Sequence, residues 1–154
     1  GKIADAVRAF SAPSGRGRLI DGIKHSYIID DAYNASPLSM HAAIDTIGQL
    51  KVKRKIAVLG DMLEIGKYTL EAHENIGRLI PDNFDILVTV GARAKFIAEA
   101  AKEKGMAAKN IFSFDTANEA KLEVQKLIKK GDLILVKGSH AIGLDKVIEE
   151  IRQI

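Results

Sequence analysis

Apolar residues recur along this chain with two periods. Ile3, Ala6, Val7 and Phe10 stand at helical spacing and predict a short helix over 2–10. A breaker-rich segment, 11–17, follows with Pro13, Gly15 and Gly17. Two short β-type runs, 18–23 and 26–30, are expected to pair through a turn at 21–25. Leu38, Ala42, Ala43, Ile47 and Leu50 form the apolar stripe of a helix over about 37–50. Strand-like runs at 55–59, 85–90, 110–114 and 132–136 then alternate with helical patterns at 70–80, 96–104, 117–129 and 144–151. The alternation, with short links, predicts an α/β fold: a Rossmann-like open, mostly parallel sheet with right-handed crossovers and helices on both faces.

Composition narrows this reading. A chain of 154 residues, 47% of them hydrophobic, supports one well-buried core and not two. The segment 11–17 is the only boundary, so residues 1–14 are expected to end a preceding domain and its linker, and 15–154 to form one domain. There is no Trp, so the core is built from aliphatic residues, which suits buried parallel strands. A net charge of +3, with lysines and arginines spread among acids, argues against a nucleic-acid partner. The absence of cysteine excludes disulfides and thiolate metal sites, and the four histidines show no metal spacing. No apolar run approaches the roughly 18 residues that would span a bilayer, and no secretory signal is visible. The expectation is a cytoplasmic, monomeric piece of a longer protein without a membrane partner.

The candidate chemistry gathers where strands end. Residues 28–31 are an apolar run closing on Asp30 and Asp31. Tyr33 and Asn34 follow in a polar turn, and Ser36-Pro37 opens the next helix as N-cap and first helical position. In an open α/β sheet the carboxyl ends of the strands share one edge, where ligands bind. Collected there are Asp30, Asp31, Gly60, Asp61, Gly91, Lys137, Gly138 and Ser139. A lysine on that edge can meet a phosphate or carboxylate, and glycines let backbone N–H groups approach an anion. The competing reading is that the glycines only turn the chain and Lys137 pairs with a nearby Asp. Residues 60–67 resemble a phosphate loop but fail as one: five residues, not four, separate Gly60 from Gly66, and Tyr68 stands where Ser or Thr is needed. Arg16, flanked by glycines, is suited to reaching a phosphate from the linker, although by itself it reads more simply as a solvated linker charge. His73, inside an apolar helical pattern, reads more simply as packed than as catalytic.

Three ordered motifs carry a resemblance. The run Asp30-Asp31-Ala32-Tyr33-Asn34-Ala35-Ser36-Pro37, the stretch Gly60-Asp61-Met62-Leu63-Glu64-Ile65-Gly66 with His73 downstream, and Lys137-Gly138-Ser139 are together similar to the C-terminal domain of Mur ligases. The type resembled adds D-alanyl-D-alanine to UDP-N-acetylmuramoyl-tripeptide. The resemblance implies an ATP-dependent amide ligase of peptidoglycan synthesis whose central domain carries the phosphate loop and Mg²⁺ ligands. The C-terminal domain closes over ATP and the incoming dipeptide, with the enzyme's own N-terminal and central domains as partners. It further implies that Arg16 contacts the ATP phosphates, that Asp31 holds the ribose, and that Tyr33 and Asn34 line the nucleotide side. Lys137, Ser139, Asp61 and His73 are placed with the substrate, the last two without an assigned role. Two positions depart from the family: Ser36 replaces the commoner Asn, and His140 stands where Arg is common. A sister ligase for a single amino acid, or a glutamate ligase acting on folate, is the nearest rival. A signalling receiver module also places acids and a lysine at strand ends, but it needs a further strand–helix unit between Asp31 and Asp61.

Overall fold

The computed structural model describes residues 17–154. The helix expected over 2–10 and the linker up to Arg16 lie outside them. Six strands form one sheet: β1 (Arg18–Gly22), β2 (Ser26–Asp31), β3 (Lys55–Gly60), β4 (Ile86–Val90), β5 (Ile111–Phe114) and β6 (Leu133–Lys137). Their order is β1-β2-β6-β3-β4-β5, with β1 antiparallel to β2 and every other pairing parallel. Five helices complete the fold: α1 (Pro37–Gly48), α2 (Thr69–Leu79), α3 (Lys95–Glu103), α4 (Ala117–Leu127) and α5 (Asp145–Ile151). The expected Rossmann-like, mostly parallel α/β architecture is therefore the observed one. Only α1 and β3 separate Asp31 from Asp61, so the extra unit of a receiver module is absent.

Parallel strands covered on both sides bury both of their side-chain rows. Ile29, Ala57, Leu59, Leu87, Leu133 and Leu135 face one core with α1, α2 and α3. Ile28, Ile56, Val58, Val88, Ile134 and Val136 face a second core with α4 and α5. The chain adds β3, β4 and β5 in one direction and then returns to insert β6 between β2 and β3. Helices following β2 and β3 thus lie on one face and the helix following β6 on the other. By topology this reversal makes the carboxyl end of β6 the crevice position of the sheet, where ligands usually bind in such folds.

Helix α1 is shorter than the pattern predicts and is rotated about its axis. Met40, Ala43, Ile44 and Ile47 are its buried residues, whereas Leu38 is 81% exposed and Ala42 faces solvent. The helix turns its larger apolar side chains inward, and burying Met40 and Ile44 outweighs burying Leu38 and Ala42. Leu50 packs on the core from beyond the helix. In α2 the expected stripe holds at His73 and Ile76, but Leu70 is exposed. Strand β6 runs one residue further than expected and so takes in Lys137.

Candidate functional site

The loop after β2 is built locally. Ser36 Oγ accepts the Ser39 N–H at 3.1 Å, and Ser39 Oγ accepts the Ser36 N–H at 3.0 Å, a reciprocal capping box at the start of α1. Pro37 takes the first helical position. Ser36 therefore caps as expected despite its departure from the family pattern. The cap fixes where the loop 32–35 ends, and β2 fixes where it begins.

Adjacent residues of a strand point to opposite faces, so Asp30 and Asp31 separate. Asp30 Oδ2 accepts from the Arg18 guanidinium at 3.1 Å and Oδ1 accepts the Ala32 N–H at 3.1 Å, which turns the chain out of the strand. Asp31 instead meets Lys137, its register partner on β6. The Lys137 Nζ lies 2.5 Å from Asp31 Oδ2 and 3.1 Å from the Asn34 carbonyl oxygen. Lys137 is 1% exposed. Sequence reasoning set a ligand-binding lysine against a lysine paired with an acid; the geometry is the paired one. Tyr33, by contrast, is 75% exposed, and its ring stands 4.7 Å from that of His140. That aromatic pair was not anticipated, because His140 registered only as a replaced arginine.

The second motif and the third are knotted together behind the edge. Asp61 is buried, and its Oδ1 accepts the Ala94 N–H at 2.7 Å while Oδ2 lies 3.4 Å from Arg93. Its carbonyl accepts the Ser139 N–H at 3.0 Å, and Ser139 Oγ accepts the Leu63 N–H at 2.8 Å. His73 is 0% exposed. Its Nδ1 lies 2.6 Å from the Thr69 carbonyl, which can only accept, so Nδ1 carries the proton and Nε2 accepts the Met62 N–H at 3.0 Å. Asp61, His73 and Ser139 are thus joined through the backbone of 61–63. Two of the edge glycines stand where loops approach closely. A Cβ on Gly138 would lie 2.9 Å from the Gly60 Cα, and one on Gly91 would lie 2.3 Å from Asp61 Oδ1. The Gly91 N–H donates to the Phe114 carbonyl at 2.9 Å. They permit close packing of the loops that carry the site.

Burial pushes the His73 pKa below its ordinary value, outweighing the upward pull of the Thr69 carbonyl and of Asp61, with Arg93 adding to the depression. An unfolded histidine takes a proton near pH 6.5, whereas the folded one refuses it until lower pH. Its contribution to stability is thus complete above that value and falls as pH drops towards the depressed one. The wild-type advantage over His73→Gln in urea midpoint is expected to shrink between about pH 7.5 and about pH 5.5. An advantage equal at both pH values would contradict a neutral clamp.

A separate groove of 550 Å³ opens between α1 and α2, lined by Leu38, His41, Tyr68 and Ile76 among others, and no strand-end residue contributes to it. Among the described residues no three His, Asp or Glu side chains converge as a metal site, and no helix is long and apolar enough to cross a membrane. Arg16 lies outside the described residues. Arg18, however, pairs in register with Asp30, so the chain enters β1 at the same edge that carries Asp31 and Lys137.

The chain is similar to known proteins in sequence and fold. The family model described as "Mur ligase, glutamate ligase domain" matches residues 15–140. The UDP-N-acetylmuramoyl-tripeptide–D-alanyl-D-alanine ligase of Bacillus subtilis is 36% identical over 96% of the chain, which covers 33% of that protein. The crystal structure of MurF ligase from Thermotoga maritima in complex with ADP superposes with a TM-score of 0.72 at 27% identity, over 88% of this chain and 30% of that one. MurF from Acinetobacter baumannii gives a TM-score of 0.73 at 30% identity, over 88% and 29%. The chain spans about a third of the length of the relatives it matches.

Proposed function

The chain belongs to the Mur ligase family, as its glutamate ligase domain, and on that premise we propose that it is the C-terminal domain of an ATP-dependent ligase joining D-alanyl-D-alanine to UDP-N-acetylmuramoyl-tripeptide in peptidoglycan synthesis. Residues 1–14 would close the preceding central domain and linker, and 15–154 would form the closing domain of a cytoplasmic, monomeric enzyme. The observation that carries this reading is the polar edge at β6, where the Asp31 loop, Lys137 and Ser139 meet without a phosphate loop in the chain. Such an edge supplies half of a site.

Asp31, held on a rigid strand end, suits a ribose hydroxyl as donor to its carboxylate. Exposed Tyr33 offers a flat apolar face for a base, and Asn34 stands beside it. Arg16 would bring a guanidinium to the phosphates from the linker. ATP itself fits this edge only in part: the residues present suit its nucleoside end, while nothing among the described residues suits Mg²⁺. The metal ligands are assigned to the central domain, and no step on this chain passes through the metal. Ser139, the Asp61 loop and the His73 clamp would shape the substrate side through their shared backbone. Closure of the domain would exclude water from an activated carboxylate and bring the amine into line with it.

The test is phosphate release by the full-length parent protein with ATP and UDP-N-acetylmuramoyl-tripeptide. Turnover is expected only when D-alanyl-D-alanine is added, and the 154-residue chain alone is expected to be silent. Turnover with a single amino acid in place of the dipeptide would move the protein to a sister ligase. ATP turnover by the chain alone would overturn the division of labour between domains.

A further inference from the structure

We propose that Lys137 is a positioning residue for the nucleotide edge and makes no contact with the incoming amine substrate. The inference rests on the proposed function, in which Asp31 and Asn34 face the nucleotide. It departs from the reading that a lysine at this strand end receives a substrate carboxylate.

The geometry points this way for three reasons. Lys137 is 1% exposed, among the largest fully buried side chains described, in the middle of the sheet. Almost none of its surface is open to a carboxylate arriving at that edge. Its ammonium is also already engaged: Nζ donates to Asp31 Oδ2 at 2.5 Å and to the Asn34 carbonyl at 3.1 Å. An ammonium taken out of water needs such partners, since an isolated buried charge is strongly unfavourable. Finally, the two acceptors lie at opposite ends of the turn 31–34. One lysine therefore fixes the strand-end carboxylate and the backbone three residues on, with Tyr33 carried between them. Register explains why β6 can do this: Lys137 lies between Asp31 of β2 and Leu59 of β3, at the centre of the crevice. The carboxylate is held through one oxygen, which sets the direction the other presents to a hydroxyl.

The experiment compares Lys137→Met, Asp31→Asn and the double variant in the full-length enzyme, reading the KM for ATP and the KM for D-alanyl-D-alanine separately. Lys137→Met is expected to raise the KM for ATP about tenfold, the scale of one lost charge-assisted hydrogen bond, and to leave the dipeptide KM within about twofold. The double variant is expected to bind ATP no worse than Asp31→Asn, because the lysine acts through that carboxylate. A dipeptide KM that rises while the ATP KM stands still would overturn the proposal and make Lys137 a substrate contact. An unchanged ATP KM in Asp31→Asn would instead overturn the nucleotide-edge reading beneath it. If Lys137→Met fails to fold with Asp31 left unpaired, the double variant, lacking both charges, carries the test. A dipeptide KM higher in it than in Asp31→Asn would overturn the proposal.

Discussion

Replacing Arg54 by alanine is expected to lower the stability of the folded chain by about 3–5 kcal/mol, the cost of leaving a buried carboxylate without its counter-ion. Arg54 precedes β3 and Asp132 precedes β6, on the amino edge of the sheet and away from the crevice. The guanidinium grips the carboxylate in a fork, with Nε 3.0 Å from Oδ1 and one terminal nitrogen 2.6 Å from Oδ2. The same nitrogen donates to the Leu127 carbonyl at 2.5 Å, and Asp132 Oδ2 accepts the Lys129 N–H at 2.7 Å. Backbone bonds extend the staple: the Leu133 N–H donates to the Arg54 carbonyl at 3.0 Å, and the Tyr27 N–H to the Asp132 carbonyl at 2.8 Å. One pair thus ties the starts of β2, β3 and β6 to the end of α4. Urea denaturation of wild type and Arg54→Ala, with the slope unchanged, measures the loss. Arg54→Lys keeps the charge but not the fork and should fall between the two. Replacing both partners by apolar residues should recover much of the stability, since no lone charge remains. A loss below about 1 kcal/mol in Arg54→Ala, typical of a surface pair, would show that the staple carries little.

None of that pair could be read from the sequence, because its members stand 78 residues apart and each alone is an ordinary loop residue. What was legible followed from local rules. The alternation of apolar runs and helical stripes identifies all six strands and five helices described, and Ser36-Pro37 marks the start of α1 to the residue. The expected stripe of α1 holds at Ala43 and Ile47 but not at Leu38 and Ala42, because a stripe that includes those two looks as regular as one through Met40 and Ile44; only the opposing core decides between them. At the site, spacing placed Asp31, Asp61, Lys137 and Ser139 on one edge, since parallel strands put all their carboxyl ends there. Which of these carry side chains to solvent was not legible. Lys137 and Asp61 turn inward to partners supplied by other strands and loops, and His73 becomes a clamp only because Met62 presents its N–H from the loop after β3. That Gly91 and Gly138 stand at close approaches between loops was likewise not legible, because it needs the neighbour's coordinates.

Arg16→Ala is expected to have the opposite signature to Arg54→Ala: turnover of the full-length ligase down by about 10²–10³-fold, the scale seen when one donor to developing charge is removed, with stability changed by no more than about 0.5 kcal/mol. Arg16 lies outside the described residues; what the chain does next bears on its proposed role. Strand β1 is antiparallel to β2, and Arg18 at its start lies opposite Asp30 near the end of β2. A parallel first strand would have begun at the opposite edge, beside Arg54. The antiparallel one begins at the edge that carries Asp31. Arg18 pairs with Asp30 and Lys137 with Asp31; the phosphate role proposed for Arg16 is the one the family resemblance implies. A flat guanidinium binds two phosphate oxygens at once, so Arg16→Lys should restore only part of the loss. Phosphate release and urea denaturation on the same preparations separate the two effects. A fall of less than tenfold would remove Arg16 from the site and leave the phosphates to the rest of the enzyme.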